Sequence, residues 1–375
     1  MEVALLVRER RAYVEQSAIW GIGTAVPAYR LDQRDASFRL KEALKEDPDL
    51  ARWTNRIFTQ CGVESRYTCE PDLLEPADRC RYISVSSPGL VPTTEERMAV
   101  YRKEAFPLAL AAAKRALSDG GVRPGEITHL ISVSCTGMYL PGLDAELAWE
   151  LDLRAEVKRI PFTFLGCAAG LTAIREAARI VGHEPDAKVL VVAVELCSIH
   201  IQPSFDREDL FSAALFGDGA SACVVAASDG GQRGMFELLQ STVMMLPNSS
   251  ELMQWSIGNT GFRLRLSPKI PGLIAEHIRS AYRAFWGEGG LPSLWAIHPG
   301  GRGIIDSVQK AMSLSDSQAE ASRTVLRDYG NMSSATILFV LDEIRRRGIQ
   351  VREEGIAIAF GPGVAAEFIR FRYRP

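Results

Sequence analysis

The chain has 375 residues with an ordinary globular composition: 47% are hydrophobic, 24% are charged, and the formal net charge is -3. This length and apolar content suffice for a large core, and the lack of a basic excess argues against a nucleic-acid partner. No apolar stretch reaches the length of a membrane span. The seven cysteines are odd in number and lack C-x-x-C spacing, which indicates reduced thiols in a cytoplasmic protein. Residues 1–11 are predicted to form an N-terminal helix or arm.

Strands and helices alternate along the first part of the chain. Strands are predicted at residues 18–27, 129–134, 160–165, 189–195 and 221–226, and helices at 35–44, 51–60, 93–118, 143–151 and 168–180. The longest helix begins with a capping-box signature, because Thr93 stands three residues before Glu96. Alternation of this kind predicts a mainly parallel sheet that is covered on both faces.

A turn-rich segment at 228–232 separates a second half, so the predicted domains are 1–230 and 231–375. Strands are predicted there at residues 234–242, 262–266, 294–297, 356–360 and 367–372, and helices at 271–286, 304–312, 317–329 and 331–347. Each half places one reactive type of residue after a strand and before a helix. These residues are Cys167 in the first half and His298 in the second.

Cys167 lies where an apolar run, predicted to be a buried strand, stops at Gly166 and a helix of small residues begins. Unpaired N–H groups at a helix N-terminus favour a thiolate over a thiol. The alternative is a buried cysteine that packs as a small hydrophobic residue. The local sequence leaves both interpretations open.

His298 and Asn331 each have a structural alternative when they are considered alone. His298 is followed by Pro299 and two glycines, which fix and open the backbone around it, but a lone histidine is more often structural. Asn331 could simply cap a helix. Together with Cys167 they form a chemically coherent set. A cysteine nucleophile needs a base, and carbon–carbon bond formation needs donors over a developing enolate oxygen.

Five motifs in a fixed order make a family resemblance specific. They are Leu165-Gly166-Cys167-Ala168-Ala169-Gly170, Phe216-Gly217-Asp218-Gly219-Ala220, Trp295-Ala296-Ile297-His298-Pro299-Gly300-Gly301, Tyr329-Gly330-Asn331-Met332-Ser333-Ser334 and Phe360-Gly361-Pro362-Gly363. The chain resembles the chalcone-synthase-like enzymes, the type III polyketide synthases, from about residue 18 to its end. The resemblance implies an α/β fold of the thiolase type, with five αβαβα layers made of two similar halves, and a homodimer. It also implies that Cys167, His298 and Asn331 are the catalytic triad.

The resemblance further implies roles around the triad. Phe216 and Phe262 match two gatekeeper phenylalanines, and Leu140 matches a residue that reaches into the partner's cavity. The substrate-binding set also includes Cys135, Cys197, His200, Met253 and Ser333, and the CoA-binding set is Arg52, Arg56, Gly300, Gly301 and Gly303. Trp53 stands where the family has a lysine of the CoA site. Cys135, Cys197 and His200 replace threonines of the plant pattern, and Met253 replaces a glycine.

The function implied is extension of an acyl-CoA starter with malonyl-CoA. The segment 252–262 is similar to that of bacterial members that make alkylpyrones and alkylresorcinols, so a pyrone or a resorcinol is expected. CoA thioesters are the substrates, and no metal or redox cofactor is implied. The alternatives are an initiating ketoacyl synthase that uses an acyl-carrier protein, which shares the Cys-His-Asn set, and a non-catalytic scaffold that binds acyl-CoA.

Overall fold

The computed structural model describes residues 17–83, 91–202, 206–228, 235–349 and 352–375. The predicted N-terminal arm and the predicted domain boundary at residue 230 lie outside these ranges. The described strands are β1 Ser17–Ala25, β2 Tyr29–Asp32, β3 Ser65–Thr68, β4 His129–Ser134, β5 Lys158–Thr163, β6 Val189–Leu196, β7 Asp218–Ala227, β8 Phe236–Met245, β9 Met253–Gly258, β10 Gly261–Leu266, β11 Leu294–Ile297, β12 Glu353–Gly361 and β13 Ala365–Tyr373.

The described helices match the predicted ones closely, with one addition, α6. They are α1 Gln33–Ala43, α2 Pro48–Gln60, α3 Thr94–Asp119, α4 Leu143–Glu150, α5 Ala169–His183, α6 Arg207–Leu215, α7 Ile270–Trp286, α8 Arg302–Met312, α9 Asp316–Tyr329 and α10 Thr336–Arg346. The capping box of α3 is present: the Glu96 N–H donates to Thr93 Oγ1, and the Thr93 N–H donates to the Glu96 carboxylate. None of the described helices is long and apolar enough to cross a membrane.

One sheet of nine strands runs through the molecule in the order β11-β12-β13-β8-β1-β7-β6-β4-β5. It is mixed, so the prediction of a mainly parallel sheet is wrong. Only β4 with β5, β4 with β6, and β11 with β12 are parallel. Helical crossovers through α4 and α5 permit parallel pairing of β4, β5 and β6, whereas the short turn between β12 and β13 forces those strands to run antiparallel.

Alternate side chains of the strands pack against helices on opposite faces of the sheet. On β6, Val189 and Val191 pack in the cluster that contains α5 and α10, whereas Leu190 and Val192 pack against α3. The strand β12 repeats the pattern, with alternate residues facing α5 and α10 on one side and α7 and α8 on the other. The two halves of the nine-stranded sheet therefore lie on either side of α5 and α10, with α3 and α4 outside one half and α7 and α8 outside the other, which confirms the predicted five layers.

Candidate active site

Cys167 lies in a tight turn between β5 and α5, as predicted. Phe164 and Gly166 have positive φ angles of 56° and 68°, and a short 3₁₀ turn at Gly166–Ala168 leads into α5. The predicted buried strand is wrong in one respect. The strand β5 is the outermost strand of the sheet, and its side chains alternate between exposed and half-buried. The apolar run therefore forms an edge strand of the sheet and not a buried central strand.

Position 166 accommodates only glycine, because the loop after β12 contacts the turn that carries Cys167. A Cβ atom on Gly166 would lie 2.2 Å from Cδ of Pro362, and the residue's φ of 68° is unfavourable for other residues. We expect Gly166→Ala to displace Cys167 and to reduce its acylation at least about tenfold, since a left-handed conformation alone costs about 1–2 kcal/mol. Acylation is measured by intact mass after addition of an acyl-CoA.

Gly125→Ala is the matched control for that substitution. A Cβ atom at Gly125 would meet no atom within 4 Å, so its acylation rate should equal that of the wild type. Equal rates for Gly166→Ala and the wild type would contradict the argument that this turn must be glycine.

Asn331 is held so that its amide nitrogen faces the cysteine. Its backbone N–H donates to the carbonyl of Leu215 at 3.0 Å, and its carbonyl accepts from the Gly217 N–H at 3.1 Å. Its Oδ1 accepts from the Ser333 N–H at 2.8 Å. The remaining donor, Nδ2, points at Cys167 Sγ at 3.9 Å. The asparagine therefore does more than cap a helix: its acceptor is used by the backbone, and its donor is directed at sulfur.

His298 follows β11 and is buried, with 1% of its surface exposed. Its backbone N–H donates to the Ile358 carbonyl at 2.8 Å, which ties the residue to β12. Neither Nδ1 nor Nε2 has a hydrogen-bond partner among the described residues. A buried polar ring without partners is costly in a purely structural role. The ring is instead available to a substrate in the cavity that it lines.

Burial changes the pKa values of both reactive groups. It raises the pKa of the Cys167 thiol to about 11, although hydrogen bonds from Ser333 and Asn331 act in the opposite direction. Burial lowers the pKa of His298 to about 3. A backbone N–H also favours the thiolate, as expected at a helix N-terminus, but desolvation outweighs it.

One cavity of about 310 Å³ brings most of the predicted site residues together. Its lining includes the three triad residues and eight of the other predicted residues: Cys135, Cys197, Phe216, Met253, Gly300, Gly301, Gly303 and Ser333. Cys135 also supports the nucleophile turn, because the Gly166 N–H donates to its Sγ at 2.9 Å. The cavity wall is otherwise largely apolar.

His200 and Phe262 do not line this cavity, and the sequence leaves the orientation of His200 open. Both line a second, smaller space, and their rings stack with centroids 4.3 Å apart. His200 is locked in place: its Nδ1 accepts from the Phe262 N–H at 3.0 Å, and its Nε2 lies 2.6 Å from the Thr136 carbonyl. Burial lowers its pKa to about 3, so it stays neutral. It fills space as an aromatic ring.

Three predicted residues lie on the surface of the single chain, away from the cavity. Arg52 and Arg56 are exposed on α2, where Arg52 pairs with Asp49. Leu140 has 91% of its surface exposed. None of the three lines the cavity in front of Cys167.

Several residues of the cavity are not predicted from the sequence. Among them are Trp255 on β9, a strand that was not predicted, and Phe164, Phe211, Leu264 and Pro362. Glu195 is also buried behind the site, where its carboxylate accepts from the Cys135 N–H at 3.0 Å, from Thr136 Oγ1 at 2.8 Å and from Ser334 Oγ. The sequence feature that could have indicated this buried carboxylate is a single glutamate at the end of an apolar strand.

Comparisons with known proteins agree with this geometry. The sequence model of the N-terminal domain of chalcone and stilbene synthases matches residues 6–229, and that of their C-terminal domain matches residues 237–373. The crystal structure of PKS-I from the brown alga Ectocarpus siliculosus is 28% identical, with a TM-score of 0.86 over 98% of this chain and 100% of that one. The C-terminal type III polyketide synthase domain of Steely1 from Dictyostelium is 26% identical, with a TM-score of 0.87 over 96% and 99% of the two chains.

Proposed function

We propose a reaction course for this chain, which belongs to the chalcone and stilbene synthase family. As a type III polyketide synthase it is an acyltransferase that uses malonyl-CoA. The observation that carries the proposal is the convergence of Asn331 Nδ2 on Cys167 Sγ, with the unpartnered ring of His298 lining the same cavity. In this proposal Cys167 is the nucleophile, and His298 and Asn331 are its base and donor.

Loading begins when His298 takes the thiol proton and Cys167 Sγ attacks the thioester carbon of a starter acyl-CoA. The CoA thiolate leaves and takes a proton, and a new thioester forms on Cys167. Malonyl-CoA then enters and loses CO₂, which leaves an enolate of acetyl-CoA. His298 and Asn331 donate to the enolate oxygen. The enolate carbon attacks the carbonyl carbon of the Cys167 thioester, and the carbon–sulfur bond breaks, which frees the Cys167 thiolate. The extended chain remains on CoA until it returns to Cys167.

The pH dependence of alkylation tests the sharing of this proton. If Cys167 and His298 form the proposed ion pair, the two groups hold one proton in total between about pH 6 and 9, whichever atom carries it. Internal transfer exchanges no proton with solvent. We therefore expect the rate of iodoacetamide labelling of Cys167 to be nearly constant from about pH 6 to 9.

His298→Ala removes the internal proton acceptor. In that variant only solvent can take the proton, so labelling should be slower and should rise about tenfold per pH unit below the raised thiol pKa. A wild-type rate that climbs with the same slope would contradict the proposed pairing of Cys167 with His298.

For the product we propose an alkyl pyrone or resorcinol made from an aliphatic starter. The largely apolar wall of the cavity supports this, because it favours burial of a hydrocarbon chain. The resemblance of segment 252–262 to bacterial enzymes that make alkylpyrones and alkylresorcinols supports it as well. Among the residues that the structure describes, the lining of the cavity has no cluster of charged side chains that would suit a charged starter.

Mass spectrometry of products from a series of acyl-CoA starters tests the proposal. Incubation with malonyl-CoA should give pyrones or resorcinols that grow by two-carbon units. The same incubation with malonyl-carrier protein in place of malonyl-CoA should give no product, because the chain stays on CoA. Product from the carrier protein alone would favour the initiating ketoacyl synthase, and no product from either would favour a binding scaffold.

We further propose that Arg52, Arg56 and the glycines at 300, 301 and 303 bind CoA. The two arginines are exposed cations, and the three glycines line the cavity beside the start of α8. CoA thioesters are the only small molecules that this reaction course requires. We place the enzyme in the cytoplasm, since Cys167 must remain a reduced thiol to accept an acyl group.

A homodimer is the final part of the proposal. The adjacent parallel strands β4 and β5 end at the outer side of the sheet, and exposed Met138, Leu140 and Leu165 follow them. Exposed apolar residues beside an edge strand are typical of a surface that contacts another protein. Light scattering should give twice the chain mass of 41.2 kDa, and Leu140→Asp should shift it toward the monomer. A monomeric wild type at micromolar concentration would contradict this.

A further inference from the structure

A second, smaller space lies behind one wall of the main cavity. Its volume is about 30 Å³, against about 310 Å³ for the cavity in front of Cys167. Four residues line both spaces, namely Cys197, Phe216, Trp255 and Leu264. A single layer of side chains therefore separates the two.

The hairpin of β9 and β10 supplies part of this layer. Along the hairpin, its residues change from lining the main cavity to lining the second space. Met253 pairs with Leu266 across the two strands, and both residues line only the main cavity. Phe262, at the other end of β10, lines only the second space. Between them, Trp255 pairs with Leu264, and this pair lines both spaces. The cross-strand pair of Trp255 and Leu264 is thus the part of the partition that this hairpin supplies, beside Cys197 and Phe216.

Trp255 is fixed in this position by a network around its indole ring. Its Nε1 donates to the Cys135 carbonyl at 3.0 Å. Its ring lies edge-on to His200, with the centroids 5.8 Å apart, and His200 in turn stacks on Phe262. His200 is held by the Thr136 carbonyl and by the Phe262 N–H. A side chain with this many contacts is a rigid wall.

We propose that Trp255 sets the greatest length of acyl chain that the enzyme accepts on Cys167, because it closes the second space. This inference rests on the proposed function, in which an aliphatic chain occupies the main cavity. Cys197 lines the cavity together with Cys167 and also lines the second space, so a chain that lengthens along this wall meets Trp255. Each further methylene of the starter that can be buried would raise kcat/KM for that starter about fourfold.

The test measures kcat/KM for straight-chain acyl-CoA starters of increasing length, with the wild type and Trp255→Ala. When each profile is scaled to its own value for the shortest starter, the length at which kcat/KM falls should be several carbons greater in the variant than in the wild type. Just beyond the wild-type limit, the variant should gain about fourfold per added methylene relative to the wild type. Gln254→Ala is the matched control, since Gln254 is the neighbouring residue on β9 and its side chain contacts Glu251 instead.

Leu264→Ala provides a second route to the same opening if Trp255→Ala does not fold. It should also increase the greatest accepted chain length, because Leu264 is the cross-strand partner of Trp255 in this wall. Variants that fold and leave the limit unchanged would overturn the inference while the proposed function stands. A wild type that forms no product from any starter would overturn the proposed function and this inference with it.

Discussion

Replacing Cys167 with alanine is expected to abolish chain extension, and replacing it with glutamine is expected to separate extension from decarboxylation. Neither side chain can form a thioester, so neither variant can hold a starter. The donors of Asn331 and His298 remain in both. In Cys167→Gln the amide also occupies the space of an acyl group beside Asn331, so malonyl-CoA should still lose CO₂ and release acetyl-CoA.

The size of the effect distinguishes catalysis from a structural defect. Removal of a nucleophile typically costs about 10⁶-fold in kcat, whereas a small change in a buried thiol costs little. Polyketide formation should therefore fall below detection in both variants, and acetyl-CoA release by Cys167→Gln should stay measurable by chromatography. Cys80→Ala is the control, because Cys80 is buried outside the cavity. Normal polyketide formation by Cys167→Ala would refute the assignment.

Asn331→Asp is expected to give the second largest loss. The change keeps an acceptor for the Ser333 N–H but removes the Nδ2 donor that points at Cys167. It also adds a buried negative charge beside a developing thiolate and enolate. Loss of one donor of this kind costs about 10²–10³-fold in kcat, and the added charge should increase the loss. Malonyl-CoA decarboxylation and overall extension should both decrease.

Asn259→Asp makes the same chemical change at an exposed turn between β9 and β10 and should leave both rates unchanged. Circular dichroism should show that both variants are folded. If Asn331→Asp decarboxylates malonyl-CoA at the wild-type rate, Asn331 does not act on the enolate, and its role is confined to the backbone turn.

The sequence predicts the triad because each member lies at the end of an element where side chains from different segments meet. Cys167 precedes α5, His298 follows β11, and Asn331 precedes α10. Local glycines mark these turns in the sequence. The strand pattern predicts a sheet that is covered on both faces. The five layers are what the family resemblance implies.

The shape of the cavity could not be predicted in the same way. His200 and Trp255 are both large rings near one wall, yet only Trp255 lines the cavity, because hydrogen bonds to Thr136 and Phe262 turn His200 away. Such contacts join segments that are 62 and 64 residues apart in the chain. Periodicity along one strand carries no information about them. The strand β9 was missed for a related reason, since its partner is the short strand β10 and not the main sheet.

The pKa of Cys167 shows the same limit. Its place at a helix N-terminus is visible in the sequence and predicts a stabilised thiolate. The degree of burial is not visible, and in the structure it raises the pKa to about 11. In the proposed reaction course the thiol therefore depends on His298 for activation.

Mass spectrometry of the acyl-enzyme tests the central claim most directly. Incubation with a starter acyl-CoA alone should add the mass of one acyl group, and digestion should locate that group on the peptide that carries Cys167. Addition of malonyl-CoA should then discharge the acyl group and release an extended product. An acyl group found on Cys135 or Cys197 instead, or one that malonyl-CoA does not discharge, would contradict the account.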